Sequence, residues 1–134
     1  MKYTAGICLL SLSLSFAACS GNENYTKAED AMDAGREFIR ASLDGNMKKA
    51  NFYLLQDSTN QMIFDKWKYD VYNKLSPEER TNYRQANILT VKVDKLDDST
   101  VNFTYSNTYK SKDTTTVKIV RKDGEWLVDL KEIH

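Results

Sequence analysis

Few residues of this 134-residue chain belong to the types that build catalytic, metal or redox sites. Its one histidine, His134, is the last residue, and chain ends seldom hold a side chain in a fixed geometry. Both cysteines, Cys8 and Cys19, lie near the N-terminus, and the five glycines are scattered singly rather than grouped in a phosphate-binding loop. We therefore predict no histidine-based triad, no metal site, no nucleotide site and no cofactor.

Neither sign of charge predominates, since 19 basic side chains are matched by 19 acidic ones. From Lys27 onward the two signs are interleaved, whereas nucleic-acid binding requires a clustered cationic surface. We expect no nucleic-acid partner. A hydrophobic content of 41% with a single proline is typical of one folded domain rather than of a disordered chain.

Long hydrophobic runs are also missing, because the apolar segment 5–14 is about half the length of a membrane-spanning helix. Lys2 precedes this segment and small residues follow it, which predicts an export signal over residues 1–18. The sequence Phe16-Ala17-Ala18-Cys19 resembles the lipobox of bacterial lipoproteins. The alternative is an ordinary signal peptide in which Cys19 has no role.

The lipobox resemblance implies that Cys19 carries the lipid and becomes the mature N-terminus, so that the membrane is the first partner. Three acyl chains, as in lipoproteins of the Gram-negative type, anchor stably, whereas a single chain does not. Ser20 stands where inner-membrane lipoproteins carry Asp, which implies the outer membrane, on its periplasmic or surface face. Cleavage removes Cys8, and acylation blocks the remaining thiol.

We interpret residues 19–26 as a lipidated tether and residues 27–134 as a single domain. Thr26 and Glu29 have the spacing of a capping box, and the apolar residues after them recur at helical spacing as far as Gly45. A second helix is predicted from Asn46 to Leu55.

Two further helices are predicted before residue 87. Asp57 or Ser58 caps the first of them, whose apolar stripe consists of Phe64, Trp67, Val71 and Leu75. The segment Ser76-Pro77-Glu78-Glu79 opens the second, with proline at the first helical position and Glu three residues after the cap.

After Asn87 the apolar period changes to two, which predicts four antiparallel strands. Their alternating residues are Leu89, Val91 and Val93; Val101, Phe103 and Tyr105; Val117 and Ile119; and Trp126, Val128 and Leu130. Asp123-Gly124 is a type I′ hairpin signal, since glycine tolerates positive φ. The fold class is therefore α+β, with N-terminal helices packed on a curved four-stranded antiparallel sheet.

Residues 27–131 resemble the nuclear-transport-factor-2-like superfamily, a cone of curved sheet closed by helices. The resemblance rests on the first helix ending at Leu43-Asp44-Gly45-Asn46, on the start of the second at Met47 to Ala50, and on Asp123-Gly124-Glu125-Trp126-Leu127-Val128. Within it, the chain is most similar to short bacterial lipoproteins that contain a domain of unknown function. A simpler α+β sandwich with a cystatin-like layout is the structural alternative.

The domain is rich in aromatic side chains, and several of them are predicted to line a pocket between the helices and the sheet. The candidate lining residues are Tyr53, Phe64, Trp67, Phe103, Tyr105 and Trp126. Such a pocket would hold a small apolar or amphipathic ligand, provided that the structure contains a cavity of roughly 300 Å³ or more.

Three functions follow from these features. The leading hypothesis is a non-enzymatic, membrane-anchored module that binds such a ligand or an envelope protein. A protein partner would require an exposed apolar patch. The alternative is a small hydrolase- or isomerase-like enzyme that uses a lone pocket carboxylate, with Asp65 and Asp70 as candidates, and it requires one of them to be buried in an apolar cavity.

Overall fold

The fold is α+β, with helices followed by a four-stranded antiparallel sheet that does not close. A computed structural model describes residues 24–131, so Cys19 and His134 lie outside the described residues. The elements are α1 (Ala31–Asp44), α2 (Met47–Phe52), α3 (Ser58–Asp70), a 3₁₀ turn (Tyr72–Lys74), α4 (Pro77–Gln85), β1 (Ile88–Asp97), β2 (Thr100–Asn107), β3 (Thr115–Lys122) and β4 (Glu125–Asp129).

Helix α1 begins later than the sequence predicts. Its N-cap is Asp30, whose side chain accepts from the Asp33 amide at 2.8 Å, so the capping box of Thr26 and Glu29 is wrong. The Thr26 carbonyl instead accepts a hydrogen bond from the Tyr53 hydroxyl at 2.6 Å, which holds the residues before α1 against the end of α2. The predicted end is confirmed, since Gly45 caps α1 with φ of 73°.

The second helix ends at Phe52, before the predicted Leu55, because the residues that follow Phe52 pair with the sheet. Tyr53 and Leu55 exchange backbone hydrogen bonds with Val128, each of 2.8 Å, and Leu54 forms a parallel bridge to the same residue. A strand-like pairing of this kind excludes helical geometry beyond Phe52.

The caps of α3 and α4 are confirmed. Asp57 accepts from the Asn60 amide at 2.7 Å, and Ser76 with Glu79 forms a complete capping box. The stripe of α3 extends beyond its helix, because α3 ends at Asp70 and the 3₁₀ turn follows.

The four strands lie in the order β1-β2-β3-β4. The Asp123-Gly124 hairpin is confirmed, with φ of 51° and 78°, the two positive values that a type I′ turn requires. Strand β1 has register shifts at Val91 and Leu96, and its apolar residues Leu89, Val91 and Val93 are exposed. The apolar alternation of β1 therefore does not mark a buried face.

The core lies between α1 and the central strands. Ala34 and Ile39 of α1 pack with Phe103 and Ile119, and all four are at most 2% exposed. A Cβ atom at Gly35 would lie 2.7 Å from Ile119 Cδ1, so the glycine permits the close approach of helix and sheet.

Candidate functional site

A cavity of about 380 Å³ lies between α1, α3, the last turn of α4 and the strands β2 and β3. Most of its wall is apolar, and the apolar lining residues are Phe38, Ile39, Leu43, Ile63, Phe64, Trp67, Val71, Leu75, Val117 and Leu130. The volume exceeds the roughly 300 Å³ that the ligand hypothesis requires.

A row of aromatic rings forms one wall of the cavity. The ring centroids of Phe38 and Phe64 are 6.2 Å apart, those of Phe64 and Trp67 are 6.0 Å apart, and those of Trp67 and Tyr72 are 5.9 Å apart. Offset and tilted rings at such distances stabilise one another beyond their buried area. The wall is thus a continuous aromatic surface that runs from α1 across α3 to the 3₁₀ turn.

Tyr72 is held from two sides at this wall. The Arg80 guanidinium lies 4.7 Å from the centroid of its ring, in cation–π geometry. Its hydroxyl lies against Gly45, where a Cβ atom would overlap it. The C-cap glycine of α1 therefore leaves room for a ring that lines the cavity.

Polar groups line the cavity toward its opening and along β2 and β3. Lys110 and Asp113 are exposed lining residues, which mark where the cavity meets water. The Lys110 ammonium lies 4.9 Å from the centroid of the Tyr109 ring. A ligand would meet apolar walls inside and a mixed-charge rim outside.

The Tyr105 hydroxyl is a polar group inside the cavity, and its surroundings keep it protonated. Burial raises the pKa of Tyr105 to about 12, while a hydrogen bond with the Thr115 side chain acts in the opposite direction. At neutral pH the group is therefore an uncharged phenol that can donate or accept a hydrogen bond. Such a group orients a ligand but does not act as a base near pH 7.

Three of the six predicted lining residues, Phe64, Trp67 and Tyr105, line this cavity. The other three do not. Phe103 is fully buried in the core, and Tyr53 is buried with its hydroxyl bonded to Thr26. Trp126 packs beside the Arg121 guanidinium, 6.0 Å from the ring centroid.

Sequence reasoning missed Tyr72, Tyr83 and Lys110 as lining residues. The helical stripe of Phe64, Trp67, Val71 and Leu75 contained part of the signal, since all four residues line the cavity. Tyr72 lies in the 3₁₀ turn that the stripe crosses. Tyr83 and Lys110 lie on elements distant in sequence, so only the tertiary fold brings them to the same site.

Neither candidate carboxylate lines the cavity. Asp65 is half-buried and accepts from Gln61 Nε2 at 3.1 Å, whereas Asp70 is exposed. Within residues 24–131, no three His, Cys, Asp or Glu side chains are grouped so that they could hold a metal ion. No helix in that range is long and apolar enough to cross a membrane.

Comparison with known proteins gives no assignment: no known family model matches the chain, and no curated protein matches it.

Proposed function

We propose that the protein is a lipid-anchored, non-enzymatic binding module of the cell envelope that holds a small apolar or amphipathic molecule. The observation that carries this proposal is the cavity of about 380 Å³, walled by aromatic and aliphatic side chains. Small-molecule sites typically measure about 300–1,000 Å³ and combine an apolar wall with a few polar groups. The cavity has both properties.

The distribution of polarity in the cavity favours a ligand with one apolar body and one polar end. Phe64 and Trp67 offer ring surface to the body, and the uncharged Tyr105 hydroxyl offers one hydrogen bond. The polar end faces the rim, where Lys110 and Asp113 carry opposite charges. A ligand that is apolar along its whole length would form no polar contact with this rim.

The enzymatic alternative has less support. Its candidates, Asp65 and Asp70, do not line the cavity, and Asp113, which does, is exposed. A carboxylate that serves as a general acid or base is usually tuned by a desolvated site. The described residues therefore favour binding over catalysis.

The anchor is the second part of the proposal and rests on the lipobox resemblance of Phe16-Ala17-Ala18-Cys19. Outer-membrane localisation rests on Ser20, and the relationship to the nuclear-transport-factor-2-like superfamily rests on helices that precede a curved sheet and enclose a cavity with it. Intact-mass measurement of protein from the membrane fraction is expected to give a chain that starts at Cys19 with added lipid. An uncut chain, or a mature chain of unmodified mass, would contradict the anchor.

Binding in the cavity is tested with an uncharged, environment-sensitive dye, N-phenyl-1-naphthylamine, added to protein that begins at Ser20. We expect saturable enhancement of dye fluorescence. Ile63→Phe adds a ring to a residue that lines the cavity and is expected to weaken dye binding at least tenfold, because packed side chains leave little room for further atoms.

The matched control is the neighbouring residue on α3. Met62 is 64% exposed and is not a lining residue, so Met62→Phe adds a similar ring outside the cavity and is expected to leave dye binding unchanged. Equal weakening by both substitutions, or by neither, would contradict binding in the cavity. Thermal unfolding of both variants shows whether each has retained the fold.

A further inference from the structure

Strand β1 is a ten-residue strand at one edge of the sheet, and several of its large apolar side chains are exposed. Four of its large apolar side chains are exposed: Leu89, Val91, Val93 and Leu96, at 37%, 55%, 44% and 58%. Within residues 24–131, β2 is the strand that pairs with β1, so the outer edge of β1 offers its backbone groups for pairing. An exposed apolar edge strand is a pairing site unless it is protected.

The open face of the sheet is a weaker candidate for an interface. Asn102 and Thr104 alternate with buried residues of β2, and they pair with Lys118 and Thr116 of β3. The Thr104 and Thr116 hydroxyls lie 2.7 Å apart, so the centre of this face is polar. The exposed apolar side chains are concentrated on the edge strand instead.

Several features of β1 protect its edge against pairing with most other strands, but one short segment remains able to pair. Register shifts at Val91 and Leu96 and the two lysines Lys92 and Lys95 discourage unselected strands. Between the two shifts, however, residues 92–95 keep regular register against β2. A partner that matches the charges of this short segment can therefore still pair with it.

The charges of this segment match those of a second copy. We infer that β1 pairs antiparallel with β1 of another copy of this chain about a two-fold axis at Val93, joining two sheets into one of eight strands. In this register Lys92 lies opposite Asp94 of the second copy, and Val93 lies opposite Val93. Cross-strand pairs of opposite charge and of β-branched residues both stabilise a sheet.

Neighbouring registers that keep each side chain on its face are unfavourable. If the axis moves by one residue, either Lys92 or Asp94 lies opposite its own copy, and like charges placed directly opposite destabilise a sheet. In the single chain, Lys92 and Asp94 form an ion pair of 3.1 Å, with side-chain exposures of 67% and 44%. Both groups are thus on one face of the strand and accessible to a second copy.

The test uses the full chain, produced in cells with its leader, and a Val93→Cys substitution. Directly opposed residues of antiparallel strands have Cα atoms about 4.5–5.5 Å apart, within the range of roughly 4.4–6.8 Å that a disulfide bridges. Mild oxidation is expected to convert a major fraction of this variant to a covalent dimer. Met62→Cys, at a more exposed position on α3 (64% against 44% for Val93), and the unsubstituted chain serve as controls and are expected to remain monomeric on a denaturing gel.

Charge reversal then tests the register. In the Val93→Cys chain, Lys92→Asp is expected to lower the dimer fraction at least fivefold, and Lys92→Asp combined with Asp94→Lys is expected to restore it. If Lys92→Asp prevents accumulation of the protein, Asp94→Lys makes the same test. Cross-linking at residue 93 no greater than at residue 62, no effect of single reversal, or no recovery in the double variant would each overturn the inference.

Discussion

At the residue scale, a small polar cluster joins the start of α3 to the end of β4. Asn60 is fully buried, accepts from the Leu130 amide at 2.7 Å and donates to the carboxylates of Asp57 and Asp129 at 3.1 and 3.2 Å. Lys131 Nζ lies 2.6 Å from Asp57. Because a buried amide with every partner in place is costly to disrupt, the cluster fixes where α3 lies against the sheet.

Asp57 makes the stability of this cluster dependent on pH. The backbone amide of Asn60 and then the ammonium of Lys131 lower the pKa of Asp57 to about 2, from an ordinary 3.8. Since the folded state has the lower pKa, the stabilisation is present above about pH 4 and is lost as the pH falls toward 2. The Asp57→Asn variant keeps a capping oxygen but lacks the charge.

We therefore expect Asp57→Asn to unfold at a lower temperature than the natural chain at pH 6, with the difference shrinking as the pH falls from 4 to 2. Thermal unfolding followed by circular dichroism across this range measures it. A difference that stays constant between pH 6 and pH 2.5 would contradict the role assigned to the Asp57 charge.

At the element scale, two glycines with similar backbone conformations differ in their surroundings. Gly45 ends α1 with φ of 73°, and Gly124 lies in the last hairpin with φ of 78°. A Cβ at Gly45 would overlap the Tyr72 hydroxyl, whereas a Cβ at Gly124 would meet nothing within 4 Å. Substitutions at the two glycines therefore measure separately the cost of backbone strain, which both share, and the cost of steric overlap, which arises at Gly45 alone.

Gly124→Ala is expected to lower the free energy of unfolding by about 1–2 kcal/mol, the cost of a left-handed conformation for a residue with a Cβ. Gly45→Ala is expected to cost about 1–3 kcal/mol more, because Tyr72 must move out of the cavity wall. Urea unfolding of both variants measures the difference. Equal losses would contradict the contact between the C-cap of α1 and Tyr72.

The ends of helices and the turns could be predicted where interactions between residues close in sequence determine them. The Asp57 cap, the capping box of Ser76 and Glu79, and the Asp123-Gly124 turn all follow from side-chain and backbone preferences that act within a few residues. The start of α1 and the end of α2 were wrong because contacts distant in sequence, to Tyr53 and Val128, override local preference. The sequence predicted strand β1 but not the exposure of its apolar side chains, because that exposure depends on α1, which packs mainly against β3 and β4.

At the scale of the whole molecule, the fold class followed from the order of helical and alternating patterns, whereas half of the predicted lining did not. An aromatic residue of the alternating pattern in β2 belongs to the core, as Phe103 does, or to a cavity wall, as Tyr105 does, and the period of two is the same for both. The distinction depends on whether facing elements fill the space between them. That space is set by residues such as Gly35 and Gly45, which determine how closely α1 approaches its neighbours.

The two tryptophans, Trp67 in the cavity wall and Trp126 beside Arg121, provide the most direct measurement of the central claim. Their indole N–H groups give two separate signals in a ¹H–¹⁵N spectrum of protein that begins at Ser20, recorded during titration with 1-decanol. Binding in the cavity predicts a saturable shift of the Trp67 signal while the Trp126 signal stays in place. An unchanged Trp67 signal, or equal shifts of both signals, would contradict a ligand site between the helices and the sheet.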